Sequence, residues 1–151
     1  MRSAPAEILA LMLSIAWISA PPARASDARG LNEFAQGISI CVRFGAYPWM
    51  ARSRFEDVGW KGINNPDWQT LSSPRHAVTA YVSPRDAPLP LFCRVESERV
   101  SLNTATHLAW GAVQETGYAL PPDTDETGCP RFRLTLGAEV LVTSAGNGGT
   151  C

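Results

Sequence analysis

Few residues of this chain have the types and spacing that chemistry requires. It contains two histidines, His76 and His107, and a single lysine, Lys61. The local patterns of serine hydrolases, zinc proteases and nucleotide-binding loops are absent from the sequence. A histidine and a carboxylate could still form an acid–base site, because catalytic groups assemble in space rather than along the chain. The sequence does not favour any particular pair, so the catalytic residues of such a site stay unknown.

The cysteines are the other reactive group. There are four, Cys41, Cys93, Cys129 and Cys151. An even number of cysteines in a short exported chain typically forms disulfides, for which three pairings are possible here. We favour Cys41–Cys93 and Cys129–Cys151, because the last two bracket an apparent hairpin. The paired C-x-x-C spacing of zinc sites is missing, so we predict neither a metal ion nor a cofactor.

The N-terminal region predicts export. Residues 8–20 form an apolar run of 13 residues, followed by Ala23-Arg24-Ala25, which has the spacing that signal peptidase recognises. A bilayer span needs roughly 20 residues, which is more than this run supplies. A cleaved signal peptide is therefore favoured, and a retained membrane anchor is the alternative. We predict a signal peptide over residues 1–25 and a single domain over residues 26–151. This mature domain is predicted to be periplasmic or extracellular and to lack a membrane span.

The net charge of the chain and its distribution indicate which classes of partner to expect. The formal net charge of the chain is −1, and its charges of both signs are scattered. Binding to nucleic acid typically requires a basic surface that neutralises several phosphates. We therefore predict no nucleic-acid partner.

Apolar periodicity predicts the helices. Apolar residues three and four positions apart place one helix over residues 27–44 and a second from Asn103 or Thr104 to Gly117. A short helix over residues 49–57 lies between them, followed by irregular chain that is rich in turn residues. His107 falls on the polar side of its helix, where a solvated side chain is the ordinary interpretation.

Alternating apolar and polar residues predict the strands. Residues 76–83 and 91–96 form one antiparallel pair, and residues 132–142 form a hairpin around Gly137-Ala138. Strands and helices with one apolar face each favour an α+β fold. We predict one mainly antiparallel sheet of four or five strands with helices on one face and two disulfides.

An acidic segment precedes the third cysteine. Asp123, Asp125 and Glu126 supply three carboxylates within four residues, which are the hard oxygen ligands that calcium prefers. The spacing of a calcium-binding EF-hand loop is missing. We therefore predict a solvated loop.

The densest group of aromatic residues lies between Tyr47 and Trp68. Its tryptophan rings, with a neighbouring arginine, could stack on a sugar ring or hold a peptide. The candidate ligand-binding residues are Trp49, Arg52, Trp60 and Trp68. The ordinary interpretation is that these rings fill a small core under a long loop.

These observations favour a non-catalytic binding or interaction module. We expect it to bind a protein, peptide or glycan of the cell envelope through the aromatic region and the neighbouring sheet edge. The alternatives are a small exported hydrolase with a histidine–carboxylate site and a structural protein of the envelope. Exposed rings at Trp49, Trp60 and Trp68 would support binding, whereas a histidine paired with a carboxylate in a cleft would support the hydrolase.

Overall fold

The computed structural model describes residues 25–65, 68–88, 91–135 and 137–143. Within these ranges the chain forms three helices and two antiparallel sheets, which confirms the predicted α+β class. Residues 1–24 of the predicted signal peptide lie outside the described residues. The cleavage site and the bounds of the mature domain therefore stay predictions.

The helices are close to their predicted positions. They are α1 (Ala25–Phe44), α2 (Pro48–Asp57) and α3 (Leu102–Gln114). Helix α3 begins after Ser101, whose hydroxyl oxygen accepts a hydrogen bond of 3.2 Å from the backbone N–H of Thr104. The N-cap predicted two or three residues further on is therefore wrong, because a serine earlier in the chain already satisfies this N–H.

The first sheet has four strands in chain order: β1 (Lys61–Asn65), β2 (Trp68–Ser72), β3 (Thr79–Val82) and β4 (Cys93–Glu96). Strands β3 and β4 pair antiparallel as predicted. Strands β1 and β2 form in a segment predicted to be irregular after α2, so that prediction is wrong. Glycine and asparagine have low intrinsic strand propensity, but pairing along the whole of β2 outweighs it.

The second sheet contains β5 (Asp123–Thr124), β6 (Pro130–Arg133) and β7 (Glu139–Leu141). The predicted C-terminal hairpin is confirmed as β6 and β7. The prediction of a single sheet is wrong, because α3 packs mainly against α1 and β6 and carries the following strands away from β4. Trp110 of α3 stacks on Phe132 of β6 with ring centroids 5.4 Å apart.

One face of the first sheet contributes to the core. The register places Gly62, Leu71, Ala80 and Val95 in one row across the four strands, and α1 and α2 pack against this sheet. The second sheet joins the same cluster through α3. The buried apolar residues of the core are Phe34, Ile38, Ile40, Ala51, Phe55, Trp60, Leu71, Val78, Ala80, Val82, Ala105, Ala109, Ala112, Val113, Phe132, Leu134 and Val142.

A disulfide joins the two layers. It links Cys41 of α1 to Cys93 of β4 with Cα atoms 5.3 Å apart, as predicted. Cys129 is also disulfide-bonded. Cys151, the partner predicted for it, lies outside the described residues, so this second pairing stays a prediction.

A glycine permits the close approach of α1 to the sheet. A Cβ atom at Gly37 would lie 3.0 Å from a methyl carbon of Val95 and 3.3 Å from the ring of Trp60. Both distances are shorter than ordinary van der Waals contact, so a larger residue would push the helix away. Gly37 lowers the helix propensity of α1, and the packing that it allows outweighs this cost.

Candidate functional site

Helix α2 places three large side chains in solvent. Its buried stripe is formed by Pro48, Ala51 and Phe55, which lie three and four positions apart. Pro48 begins the helix, where its missing N–H costs nothing. The residues on either side of Pro48 then point outward, and Tyr47, Trp49 and Met50 are 54%, 44% and 41% exposed.

Tyr47 and Trp49 form an exposed aromatic pair. Their ring centroids are 5.6 Å apart in an edge-to-face arrangement. The guanidinium carbon of Arg85, in the loop after β3, lies 5.8 Å from the centroid of the Trp49 ring. Arg85 has no ion pair with a carboxylate among the described residues. We name Tyr47, Trp49, Met50 and Arg85 the aromatic patch; it offers apolar area beside a positive charge.

Arg52 lies on the same helix as the aromatic patch, beside β1. Its Nε donates a hydrogen bond of 2.9 Å to Oε1 of Glu56. Its Nη2 lies 3.8 Å from the position that a Cβ would take at Gly62. A predicted site residue is thus partly exposed at the free edge of the first sheet.

Trp60 belongs to the core, as the ordinary interpretation of these rings expected, so it does not supply the exposed ring that the binding hypothesis required at this position. The residue is 2% exposed, and its ring packs against Phe55 with centroids 4.7 Å apart. Its indole Nε1 donates a hydrogen bond of 3.1 Å to Oε1 of Gln36. Both the apolar and the polar parts of this side chain are therefore used within the fold. For Trp68, the backbone pairs with Asn65, and its side chain lies outside the described residues.

Three members of the aromatic patch, Tyr47, Met50 and Arg85, were not predicted from the sequence. Tyr47 and Met50 could have been found from the spacing of Pro48, Ala51 and Phe55, since a helix that buries this stripe exposes its neighbours. Arg85 is separated from Trp49 by three strands, and no local pattern connects them. Only the fold brings it to the ring.

Among the described residues, the histidines do not form a carboxylate-supported site. Nδ1 of His76 lies 2.9 Å from the hydroxyl of Ser72, and Nδ1 of His107 lies 2.8 Å from the carbonyl oxygen of Asn103 in its own helix. Both histidines are exposed, and in the described part of the chain neither one pairs with an aspartate or glutamate. The arrangement expected of the hydrolase alternative is thus missing from these residues.

Asp123 of the acidic segment is held by two arginines of the second sheet. Both oxygens of Asp123 accept hydrogen bonds from Arg131, and one also accepts from Arg133 at 2.7 Å. The hydrogen bond from Arg131 lowers the pKa of the Asp123 carboxyl below its usual value, and the positive charges of Arg131 and Arg133 act in the same direction. Over residues 25–143, apart from the gaps in the described ranges, no three His, Cys, Asp or Glu side chains are grouped as a metal site requires.

Asp125 is engaged in a turn. Its Oδ1 accepts hydrogen bonds from the side chain and backbone of Thr127 and from the backbone of Cys129, all between 2.8 and 2.9 Å. The bond from the Thr127 side chain is the main reason that the pKa of Asp125 is lowered. This carboxylate therefore organises the loop before the disulfide-bonded Cys129.

A shallow groove of about 280 Å³ lies between α1 and α2. Its apolar wall includes Ile40, Phe44 and Val58. Arg54 lies over the Phe44 ring at 5.5 Å and forms an ion pair of 3.3 Å with Asp57. The charge at this side of the groove is thus balanced within the protein.

Comparison with known proteins assigns no family. No family model matches the chain, and neither a curated protein nor a solved structure is significantly similar to it. A separate observation concerns membranes: the helices of the described residues are all too short or too polar to span a bilayer.

Proposed function

We propose that this protein is a non-catalytic binding module of an exported, disulfide-stabilised type, and that it binds a polypeptide through the aromatic patch. The observation that carries the proposal is the exposure of Tyr47, Trp49 and Met50 within four consecutive residues. Large aromatic and methionine side chains contribute strongly to binding surfaces when a partner removes them from water. Within one segment they form a contiguous surface rather than isolated apolar residues.

The charge of the aromatic patch favours a partner with an acidic group. Arg85 lies over Trp49 without a carboxylate partner among the described residues. An arginine beside an aromatic ring can hold a carboxylate by hydrogen bonds while the ring contacts an apolar side chain. A peptide carries both groups on neighbouring residues, whereas a neutral sugar ring would use only the aromatic surface.

Export is the second part of the proposal. It is supported by the N-terminal apolar run and by the Cys41–Cys93 disulfide, since such bonds persist mainly in oxidising compartments. Mass mapping of the non-reduced protein recovered from the periplasm or the medium tests this part. We expect a chain that begins at Ser26 and disulfide-linked peptides that contain Cys41–Cys93 and Cys129–Cys151. An intact N-terminus in a membrane fraction would contradict cleavage of the signal peptide, and recovery from the cytoplasm alone would contradict export.

Selection from a library of random displayed peptides tests the binding site. We expect selected peptides to bind the wild-type protein and to lose at least about tenfold in affinity for the Trp49→Ala and Arg85→Ala variants. Tyr118→Ala is the matched control, because Tyr118 is an equally exposed aromatic residue outside the aromatic patch. A glycan array covers the other ligand class. Glycan binding that depends on Trp49, without any peptide binder, would overturn the assignment to a polypeptide.

A further inference from the structure

We propose that the free edge of β1 takes up an extended peptide as a fifth strand, with apolar side chains beside Ile63 and acidic side chains beside Arg52. This inference rests on the proposed function and specifies the conformation and chemistry of the partner. Addition of a strand to a sheet edge uses backbone hydrogen bonds for affinity and alternate side chains for specificity. Three features support it: the unpaired edge of β1 and the two faces of the sheet beside that edge.

The edge of β1 is long, regular and unpaired. All five of its residues, Lys61–Asn65, pair in continuous register with β2, and no bulge interrupts them. In the described part of the chain its other edge has no backbone partner. The competing edges are less suited to strand addition: Cys93 ties β4 to α1, and β7 has only three residues. Natural proteins usually block such an edge, so an open edge is a template for a further strand.

One face beside this edge carries an exposed apolar residue, two positions from Lys61. Ile63 is 59% exposed, which is the highest value among the large apolar residues described. Successive side chains of a strand alternate between faces, so Ile63 lies on the face opposite to Gly62 and to the core. An apolar side chain of an added strand would lie directly across from Ile63. Contact between the two side chains would remove both of them from water.

The other face beside the edge carries the guanidinium of Arg52, which forms an ion pair with Glu56. Gly62 has no side chain, and the Nη2 of Arg52 lies above it. Glu56 accepts a hydrogen bond from the Nε of Arg52. Among the described residues, the Arg52 guanidinium forms no other hydrogen bond. An acidic side chain of an added strand would enter the space beside Gly62 and meet the remaining N–H groups of Arg52. The two faces together specify an alternating acidic and apolar peptide.

Binding of designed peptides to the purified protein, expressed as the full chain, tests this inference by fluorescence anisotropy. The probe is a labelled peptide of about twelve residues with alternating aspartate and valine. We expect it to bind at least about tenfold more tightly than an alternating lysine and valine peptide. A copy of the probe that is N-methylated at consecutive central residues keeps every side chain but loses its backbone donors. We expect that copy not to bind measurably, and equal binding of the two would overturn strand addition.

Variants of the protein test the two faces. Arg52→Gln should weaken binding of the aspartate–valine probe about fivefold. Arg54→Gln changes another ion-paired arginine of the same helix, but one that lies over Phe44 in the groove between α1 and α2, and it should have no effect. Ile63→Thr keeps a β-branched residue and should weaken binding about threefold. Its matched control is Leu141→Thr on β7. Equal effects of a variant and its control would contradict the inference.

The outcome also separates this inference from the proposed function. Peptides selected by display that require Trp49 but bind equally well to the Arg52→Gln and Ile63→Thr proteins would leave the binding module standing and overturn the role of β1. Hydrogen exchange gives an independent readout, because an added strand slows the exchange of β1 amide protons. Binding of the probe without such protection would likewise overturn it.

Discussion

The indole nitrogen of Trp60 lies 3.1 Å from Oε1 of Gln36, a contact that ties the turn after α2 to the surface of α1. The ring of Trp60 is at the same time packed against Phe55. This residue therefore stabilises the junction of two helices and the first sheet. Eleven positions earlier, Trp49 exposes its ring to solvent.

Replacement of the two tryptophans by alanine should have opposite consequences for stability and binding. Trp60→Ala is expected to lower the free energy of unfolding by about 3–5 kcal/mol, because it leaves a cavity in the core. Trp49→Ala should change it by less than about 0.5 kcal/mol, as is usual at exposed positions. Urea unfolding followed by far-UV circular dichroism measures both. Equal losses of unfolding free energy in the two variants would contradict the burial of Trp60 and the exposure of Trp49.

Two glycines in helices should respond differently to alanine. Gly37→Ala is expected to lower the free energy of unfolding by about 1–3 kcal/mol, because the new methyl group would collide with Val95. At Gly111 of α3 no atom lies within 4 Å of the added methyl position, so Gly111→Ala should raise it by about 0.5–1 kcal/mol. Thermal unfolding ranks the two variants. A stabilising Gly37→Ala would contradict the close contact with β4.

Removal of the Cys41–Cys93 disulfide should destabilise the protein strongly. The bond closes a loop with a sequence separation of 52 residues. On the chain-entropy model, a loop of this length corresponds to about 4 kcal/mol of stabilisation. The Cys41→Ala, Cys93→Ala double variant should lose roughly this amount in urea unfolding. Wild-type stability in the double variant would mean that the bond does not constrain the unfolded chain.

His76 adopts a left-handed backbone conformation in the turn between β2 and β3, with a φ angle of 57°. Its N–H donates a hydrogen bond to the carbonyl of Ser73, which closes the turn. Glycine adopts this conformation freely, whereas alanine is penalised, so we expect His76→Gly to be about 1 kcal/mol more stable than His76→Ala. Both variants lose the hydrogen bond to Ser72, so their difference in urea unfolding reports the backbone alone. Identical stabilities would contradict this explanation.

Asp123 should make the stability depend on pH in the acid range. Because its pKa is lower in the folded than in the unfolded chain, the carboxylate stabilises the fold above the unfolded value of about 4. This contribution is lost as the pH falls through the folded value. Asp123→Asn should therefore lower the free energy of unfolding at pH 7, with a difference from wild type that shrinks toward pH 2 and in high salt. Glu126→Gln, at an exposed position of the same loop, is the control. A difference that does not change with pH would argue against the ion pairs with Arg131 and Arg133.

Local sequence patterns were sufficient to predict the three helices, strands β3 and β4, and the C-terminal hairpin. The apolar spacing in α1 and α3 and the alternation in β3, β4 and the C-terminal hairpin each arise within one segment, so they can be recognised without knowledge of the fold. Strand β1 could not be recognised in this way. Its residues Lys61–Asn65 have little strand propensity, and their conformation depends on pairing with β2.

The candidate site was only partly predictable for the same reason. Trp49 is exposed, as the binding hypothesis required, and Arg52 is partly exposed beside β1, whereas Trp60 is buried. All three lie in one aromatic segment, and composition does not distinguish them. The burial of Trp60 depends on Gln36 and Phe55, and the charge beside Trp49 depends on Arg85 after β3.

The sequence by itself determined the α+β class and the three helices, because helix and strand periodicity is local. It left three pairings of the cysteines open, and the structure shows that Cys41 pairs with Cys93. Only the tertiary structure decided that the strands form two sheets, that Gly37 is a contact point and that Trp49 rather than Trp60 faces solvent. These features depend on packing between segments that are distant in the chain. Burial is a property of the assembled layers, and no single segment encodes it.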